Sequence, residues 1–253
     1  MFREELMQRF RLTISYDGTH FCGWQSQKQG RTVQQTLEAA LSAVAKEPVS
    51  VVGSGRTDAG VHALGQCAHV DLPIEIQPHQ LVRALTTKLP HDVAITDAKL
   101  VSSQFHARYD AFRRTYLYRL TLQRTPFNRD FCSFMPKLRI CPEHIAKVLP
   151  YFCGEHDFTS FSKYNPDIKS TLCNVQKCEL KLVDNELQFT ISANRFLHNM
   201  VRRMVGTAVL IGHHGEDPEV VSHLLARLDP SHTLIATAPP QGLYLARVEY
   251  PVQ

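Results

Sequence analysis

The chain has 253 residues, 43% of them hydrophobic and 21% charged, with Lys+Arg 28 against Asp+Glu 24. At about 150 residues per domain this length fits one large sheet or two lobes, and the composition excludes a disordered or strongly acidic chain. The net charge of +4 permits a polyanionic partner without demanding one, and the apolar runs fall far short of the ~20 residues of a membrane-spanning helix.

Along the chain, residues 11–17 alternate Leu12, Ile14 and Tyr16 with polar neighbours, the period of a half-buried strand, and stop at the turn signal Asp17-Gly18. Thr32-Val33-Gln34-Gln35 reads as a capping box that starts a helix over 33–46, with Val33, Leu37, Ala40, Leu41 and Val44 at helical spacing. A short buried strand at 49–52 runs into the glycine-rich stretch 53–60. A strand over 66–72, a helix over 78–88 and a strand over 92–101 follow, so the order is β-α-β-β-α-β, a ferredoxin-like layout. The second half repeats it less cleanly. Residues 111–122 are rich in β-formers and 142–152 read as helix. Residues 171–182 and 186–193 read as a hairpin across Asp184-Asn185. Residues 196–211 read as a helix with Leu197, Val201, Met204, Val205 and Ala208 on one face. A helix over 217–228 with Pro218 at its first position and a strand over 243–248 close the chain. The expected class is α+β: two ferredoxin-like lobes sharing an extended, mostly antiparallel sheet, with their seam near 103–110 and domains of 1–105 and 106–253.

Missing motifs narrow the chemistry. There is no GxxxxGK[ST] and no third glycine after Gly53-Ser54-Gly55 at GxGxxG spacing. HExxH and GxSxG are also missing. Cys153-Gly154-Glu155-His156 is half of a zinc site without a second half, and reads as a loop cysteine beside a capping histidine. Seven cysteines, an odd number without a CxxC pair, suggest reduced thiols. The first ten residues mix acids and bases without an apolar stretch, so no signal peptide is expected. A cytoplasmic protein without metal, cofactor or membrane is the expectation.

Three segments carry candidate chemistry. In Gly55-Arg56-Thr57-Asp58-Ala59-Gly60-Val61-His62 the glycines let backbone approach a ligand closely. Asp58 can serve there as nucleophile or base, or merely close an Asx-turn. His62 fits capping or core packing better than catalysis. Residues 105–119 interleave arginines with aromatics, the composition of a nucleic-acid surface, with Arg114, Tyr116 and Tyr118 on one strand face. The competing reading is an amphipathic strand with a solvated arginine edge. In Arg195-Phe196-Leu197-His198-Asn199-Met200-Val201-Arg202-Arg203, helical spacing stacks His198 on Arg202 beside an apolar stripe.

The blocks Tyr16-Asp17-Gly18-Thr19-His20-Phe21-Cys22-Gly23-Trp24-Gln25, residues 55–63, Arg114-Thr115-Tyr116-Leu117-Tyr118, residues 196–203 and Ala238-Pro239-Pro240-Gln241-Gly242-Leu243-Tyr244-Leu245 together resemble the tRNA pseudouridine synthase A family. They span nearly the whole chain in the family's order. The resemblance implies a cytoplasmic homodimer with a central basic cleft between ferredoxin-like lobes, acting on tRNA. It implies conversion of uridines 38, 39 and 40 of the anticodon stem-loop to pseudouridine. It also implies site roles: Asp58 as catalytic aspartate, Tyr116 as the active-site tyrosine, and Arg202 as the arginine that pairs with the aspartate and holds it ionised. Arg56 would displace the target nucleotide, and Leu243 would pack against the base. Isomerisation needs no redox change, which agrees with the missing cofactor motifs. Asp58 could attack C6 of the uracil or C1′ of the ribose, or remove a ribose proton.

The chain departs from the family pattern at Arg195, where many members carry a small residue, and in Ser170-Thr171-Leu172-Cys173, which lacks an arginine after the threonine. Two other functional classes fit less well. A non-catalytic RNA binder gains nothing from a carboxylate facing phosphate. A zinc deaminase would need H-x-E with P-C-x-x-C. Arg56, Arg108, Arg113, Arg114, Arg119, Arg195, Arg202 and Arg203 supply eight of the 28 basic residues within three blocks. A strong local positive patch is therefore expected despite the small net charge.

Overall fold

In the computed structural model, which describes residues 7–166 and 168–251, the alternation at the N-terminus becomes a strand, β1 (Gln8–Tyr16), with Phe10, Leu12, Ile14 and Tyr16 turned into the core. The chain divides into two compact units, one made of residues up to Phe112 together with those from Leu245 on, the other of Arg113–Tyr244.

The first unit follows the β-α-β-β-α-β order: β1, α1 (Val33–Ala45), β2 (Val51–Gly53), β3 (His62–Leu72), α2 (Pro78–Thr86) and β4 (Val93–Val101). Its strands lie in the order β4-β1-β3-β2 with every neighbouring pair antiparallel. That order is the ferredoxin-like one. Leu12 sits opposite Ala68 on one side and Ala98 on the other, which keeps small residues beside a buried leucine. The Thr32 side chain accepts from the Gln35 amide at 3.3 Å, as an N-cap should, but Gln35 returns the contact to the Thr32 hydroxyl rather than to its backbone. Helix α1 buries Val33, Leu37, Ala40, Leu41 and Ala45, and α2 buries Leu81 and Leu85. Residues Leu245–Glu249 of the last strand, β9 (Leu243–Glu249), lie beside β3.

The second unit contains β5 (Arg113–Thr121), α3 (Pro142–Val148), β6 (Gly154–Asp157), β7 (Leu172–Val183), β8 (Glu186–Ala193), α4 (Met200–His214) and α5 (Val220–Arg227). Its antiparallel sheet runs β5-β8-β7-β6. Helix α4 is apolar on most sides, with Met204, Val205, Ala208, Val209 and Ile211 all buried. It forms the unit's central core element.

Several boundaries differ from the sequence reading. The expected helix over 196–211 starts only at Met200, because Asn199 takes a left-handed φ of +64° that no helix tolerates. His198 therefore lies outside the helix. The helix over 142–152 stops at Val148 and tightens into a 3-10 turn over Leu149–Phe152, since Pro150 has no amide to give an α-helical turn. The last helix starts at Val220 rather than Asp217, with the Asp217 carboxylate accepting from the Glu219 amide at 2.9 Å ahead of it. Finally, β3 begins at His62, directly after the glycine-rich loop. No described helix is long and apolar enough to cross a membrane.

Candidate active site

Asp58 lies on the loop between β2 and β3, and that loop is tied down at almost every step. The Ser54 amide donates to the Cys67 carbonyl at 2.7 Å. Gln66, fully buried in β3, donates its side-chain amide to the Gly55 carbonyl at 2.9 Å. Thr57 accepts the Trp24 amide at its carbonyl (3.0 Å), and its hydroxyl shares a 2.8 Å hydrogen bond with the Tyr16 hydroxyl. The Asp58 carbonyl then takes the Val61 amide at 3.2 Å, closing a tight turn that Gly60 enters with φ +74°. The turn is thus closed by a backbone hydrogen bond.

Burial alternates along this loop. Ser54, Thr57, Val61 and His62 are buried, Arg56 and Ala59 are exposed, and Asp58 is half-buried. The loop therefore roots its small polar residues and presents Arg56 and Asp58. His62 is a structural part. Its Nδ1 accepts the Gly18 amide at 3.0 Å, which leaves no proton on that atom for the Asp17 carboxylate 3.2 Å away. His62 thus caps the Gly18 amide.

In the second unit Tyr116 sits on β5, 9% exposed, with its ring meeting Phe196 edge-on at 5.0 Å. Arg202, in the first turn of α4, donates Nε to the Ala238 carbonyl at 2.7 Å and Nη1 to the Asn199 side-chain oxygen at 3.0 Å. The Ala238 amide returns a bond to the Arg202 carbonyl at 3.0 Å. The left-handed Asn199 that delays the start of the helix is thus also a guanidinium holder. Leu243 starts β9 and is buried. It follows Gly242, where a side chain would come within 2.6 Å of the Arg119 carbonyl oxygen.

The aromatic and basic residues expected to form an RNA surface divide into two groups. Tyr118 is fully buried and donates its hydroxyl to the Pro239 carbonyl at 2.9 Å, and burial pushes its pKa up. It is a strut and offers no face for stacking. Arg119 holds Glu186 with two bonds of 2.9 Å, and Arg203 donates to the carbonyls of Ser160 and Ser162 at 3.1 and 2.9 Å. Both arginines brace the second unit, and Glu186 offsets the charge of Arg119. Arg113 and Arg114 bond Gln176 and the Asn194 carbonyl, while Arg56 remains exposed on the Asp58 loop.

Among the described residues no three His, Cys, Asp or Glu side chains gather as a metal site. In Cys153-Gly154-Glu155-His156 the imidazole Nε2 lies 2.9 Å from the Cys153 carbonyl, a local capping contact on β6. Sequence reasoning missed the Tyr16–Thr57 hydrogen bond, the Gln66 anchor and the Asn199 holder. Gln66 carried a signal, a polar residue on the same strand face as Ala68 and Val70, both buried. The Tyr16–Thr57 bond carried none, because it joins distant blocks.

A family model described as tRNA pseudouridine synthase matches residues 12–110 and 148–251. A Maridesulfovibrio salexigens protein named tRNA pseudouridine synthase A is 44% identical over 249 residues, covering 96% of this chain and 91% of its own. A Bacillus cereus protein named tRNA pseudouridine synthase A 1 is 43% identical over 248 residues, covering 96% and 99%. A Limosilactobacillus reuteri protein named tRNA pseudouridine synthase A is 41% identical over 251 residues, covering 96% and 97%. A solved Cbf5-Nop10-Gar1 complex aligns with TM-score 0.39 and 10% identity over 93% of this chain, which spans about half (48%) of that structure's chain.

Proposed function

We propose that this chain, which belongs to the tRNA pseudouridine synthase family, isomerises uridine to pseudouridine at positions 38, 39 and 40 in the anticodon stem-loop of tRNA. The observation that carries the reading is the match along nearly the whole chain to relatives bearing that name, at 41–44% identity. The site chemistry supports it. The reaction breaks the N1–C1′ bond, turns the base, and joins C5 to C1′. N1 gains a proton and C5 loses one, so nothing is oxidised or reduced. A single well-placed carboxylate can drive it, as nucleophile at C6 or C1′ or as the base at the ribose.

In this reading Asp58 is the catalytic acid residue. The target nucleotide must leave its stack, at a cost of about a few kcal/mol. Arg56, exposed on the same loop, occupies the space it leaves. Tyr116 stacks on the uracil, which returns about 1–3 kcal/mol. Leu243 packs on the base from an apolar position, and Arg202 contributes positive charge. The enzyme works as a cytoplasmic homodimer, which sedimentation of the purified chain tests directly.

The decisive experiment is Asp58→Asn, assayed by mapping pseudouridine in tRNA from a strain lacking the wild-type protein. The variant folds, retains tRNA binding, and forms less than about a thousandth of the wild-type product, on the scale of removing a nucleophile. Wild-type product from Asp58→Asn would remove the acid from the mechanism. Absence of pseudouridine at 38–40 even with the wild-type protein would remove the function.

A further inference from the structure

Residues 17–25 perform no chemistry in the proposed reaction, yet they cover the backbone of the Asp58 loop from both sides. A side chain on Gly18 would run into the Val61 carbonyl oxygen, just past the turn that Asp58 opens. A side chain on Gly23 would come 2.6 Å from the Thr57 carbonyl oxygen and 3.2 Å from the Asp58 carbonyl carbon. Gly23 also holds φ +99°, a conformation that favours glycine whatever the space around it. Three hydrogen bonds accompany these two close approaches: Trp24 amide to Thr57 carbonyl (3.0 Å), Gly60 amide to Phe21 carbonyl (3.4 Å), and the Tyr16–Thr57 hydroxyl pair (2.8 Å).

The covering segment is itself fixed. The Val33 and Gln34 amides at the start of α1 donate to the Gly23 and Trp24 carbonyls at 3.2 and 3.0 Å. Trp24 is 2% exposed, and Gly53 leaves room for its indole, which any side chain there would meet at 2.6 Å. A rigid helix start therefore holds Trp24, Trp24 and Gly23 hold Thr57, and Thr57 precedes Asp58.

We propose that residues 18–24, with Tyr16, form a positioning segment that sets where the Asp58 carboxylate points during catalysis. This rests on Asp58 being the catalytic aspartate. The physical reason is the short lever: Asp58 has one methylene between backbone and carboxylate, so backbone placement decides carboxylate placement. A misplacement of about 1 Å at reacting atoms costs about a hundredfold in rate. Binding of RNA through the surface of the protein does not depend on that placement, so turnover and affinity separate.

The test compares Tyr16→Phe, Thr57→Val, Thr57→Ser, Gly23→Ala and Asp58→Asn for single-turnover pseudouridine formation, tRNA Kd, melting temperature and emission of Trp24, the sole tryptophan. Gly23→Ala lowers the rate about a hundredfold with Kd within about twofold. Tyr16→Phe and Thr57→Val each lower it about fivefold, the scale of one hydrogen bond, and the double variant falls no further because both delete the same bond. Thr57→Ser keeps the hydroxyl and stays within about twofold of wild type. Melting that drops while the rates of Tyr16→Phe and Thr57→Val stay at wild type makes the segment merely structural and overturns the proposal. If Gly23→Ala does not fold, those two variants decide alone. An inactive wild type, or an active Asp58→Asn, overturns the reading of the site itself, and the positioning role falls with it.

Discussion

Asp58 stands on a loop held by backbone against backbone, whereas Tyr116, Arg202 and Leu243 project from a strand, a helix turn and a strand start. In the first unit glycines do the placing: Gly18, Gly23 and Gly53 let chain segments touch where any Cβ would intrude. In the second unit side chains share the placing, through Asn199 beside the Ala238 backbone carbonyl on Arg202 and through Phe196 against Tyr116, while Gly206 and Gly242 again allow close approach. Loop placement without regular hydrogen-bond ladders needs close packing to become rigid, and only glycine permits that closeness. Strand and helix placement inherits its rigidity from the ladder and leaves side chains to set the aim.

The largest effect that separates the two modes is a methyl group added to a glycine in each unit. Gly18→Ala drives a methyl into the Val61 carbonyl of the Asp58 loop, and Gly206→Ala drives one into the Ala236 carbonyl near the Arg202 contact. Each is expected to cost about 2–3 kcal/mol of stability by overpacking. Only Gly18→Ala should also change the native-state emission of Trp24, which is buried against Gly53 in the first unit. Fluorescence at 25 °C with a urea titration reads both quantities. An unchanged Trp24 spectrum in Gly18→Ala would show that the loop yields without passing the displacement on.

A smaller effect distinguishes two tyrosines on one face of β5. Tyr116→Phe should lower pseudouridine formation about tenfold, less than the roughly hundredfold or more of a full proton-transfer group, with a melting temperature near wild type. Tyr118→Phe should do the reverse. It loses the bond to the Pro239 carbonyl, about 1 kcal/mol of stability, and keeps activity within about twofold. A wild-type rate in Tyr116→Phe would leave that ring with stacking alone.

Periodicity made the first unit's framework legible, because β1 and α1 bury their apolar positions on one side and say so in the sequence. Strand β6 was not legible: Gly154, Glu155, His156 and Asp157 have no inward apolar position, and only pairing with β7 makes them a strand. The early end assigned to α4 failed for a different reason. Phe196 and Leu197 fit the apolar stripe, but Asn199 adopts φ +64° and breaks the helix there, a choice that its bond to Arg202 accompanies. Asp58 stood out through its glycines. Tyr118 and Arg119 looked like RNA contacts by composition, and only burial and partners reveal them as a strut and an ion pair. Sequence shows which residues could bind. Whether a residue's polar group is already spent depends on contacts between segments far apart in the chain.

The smallest expected effect concerns acid, and it again divides the units. In the first, His69 is buried in β3 and accepts the Ala107 amide at Nδ1 over 3.1 Å. Desolvation, with the charge of Arg9 adding to it, lowers its pKa from 6.5 to about 4. Between those values the unfolded chain binds a proton that the folded chain refuses, so stability rises with pH across the window and is lost as pH falls from 6.5 towards 4. The loss amounts to about 1 kcal/mol between pH 6.5 and 5.5. Asp71 and Asp92 do not confuse this, because their lowered carboxylate pKa values, caused first by hydrogen bonds from Arg9 and Arg31, act below about pH 3.8. Nor do the buried thiols of the second unit: desolvation pushes Cys173 up to about 11 and Cys132 up to about 12, so both stay protonated throughout. His69→Asn keeps an acceptor for the Ala107 amide and cannot titrate. Urea midpoints followed by Trp24 emission at pH 7, 6 and 5 should therefore slope less in His69→Asn than in wild type. Equal slopes would move the acid sensitivity of this fold away from the first unit's core.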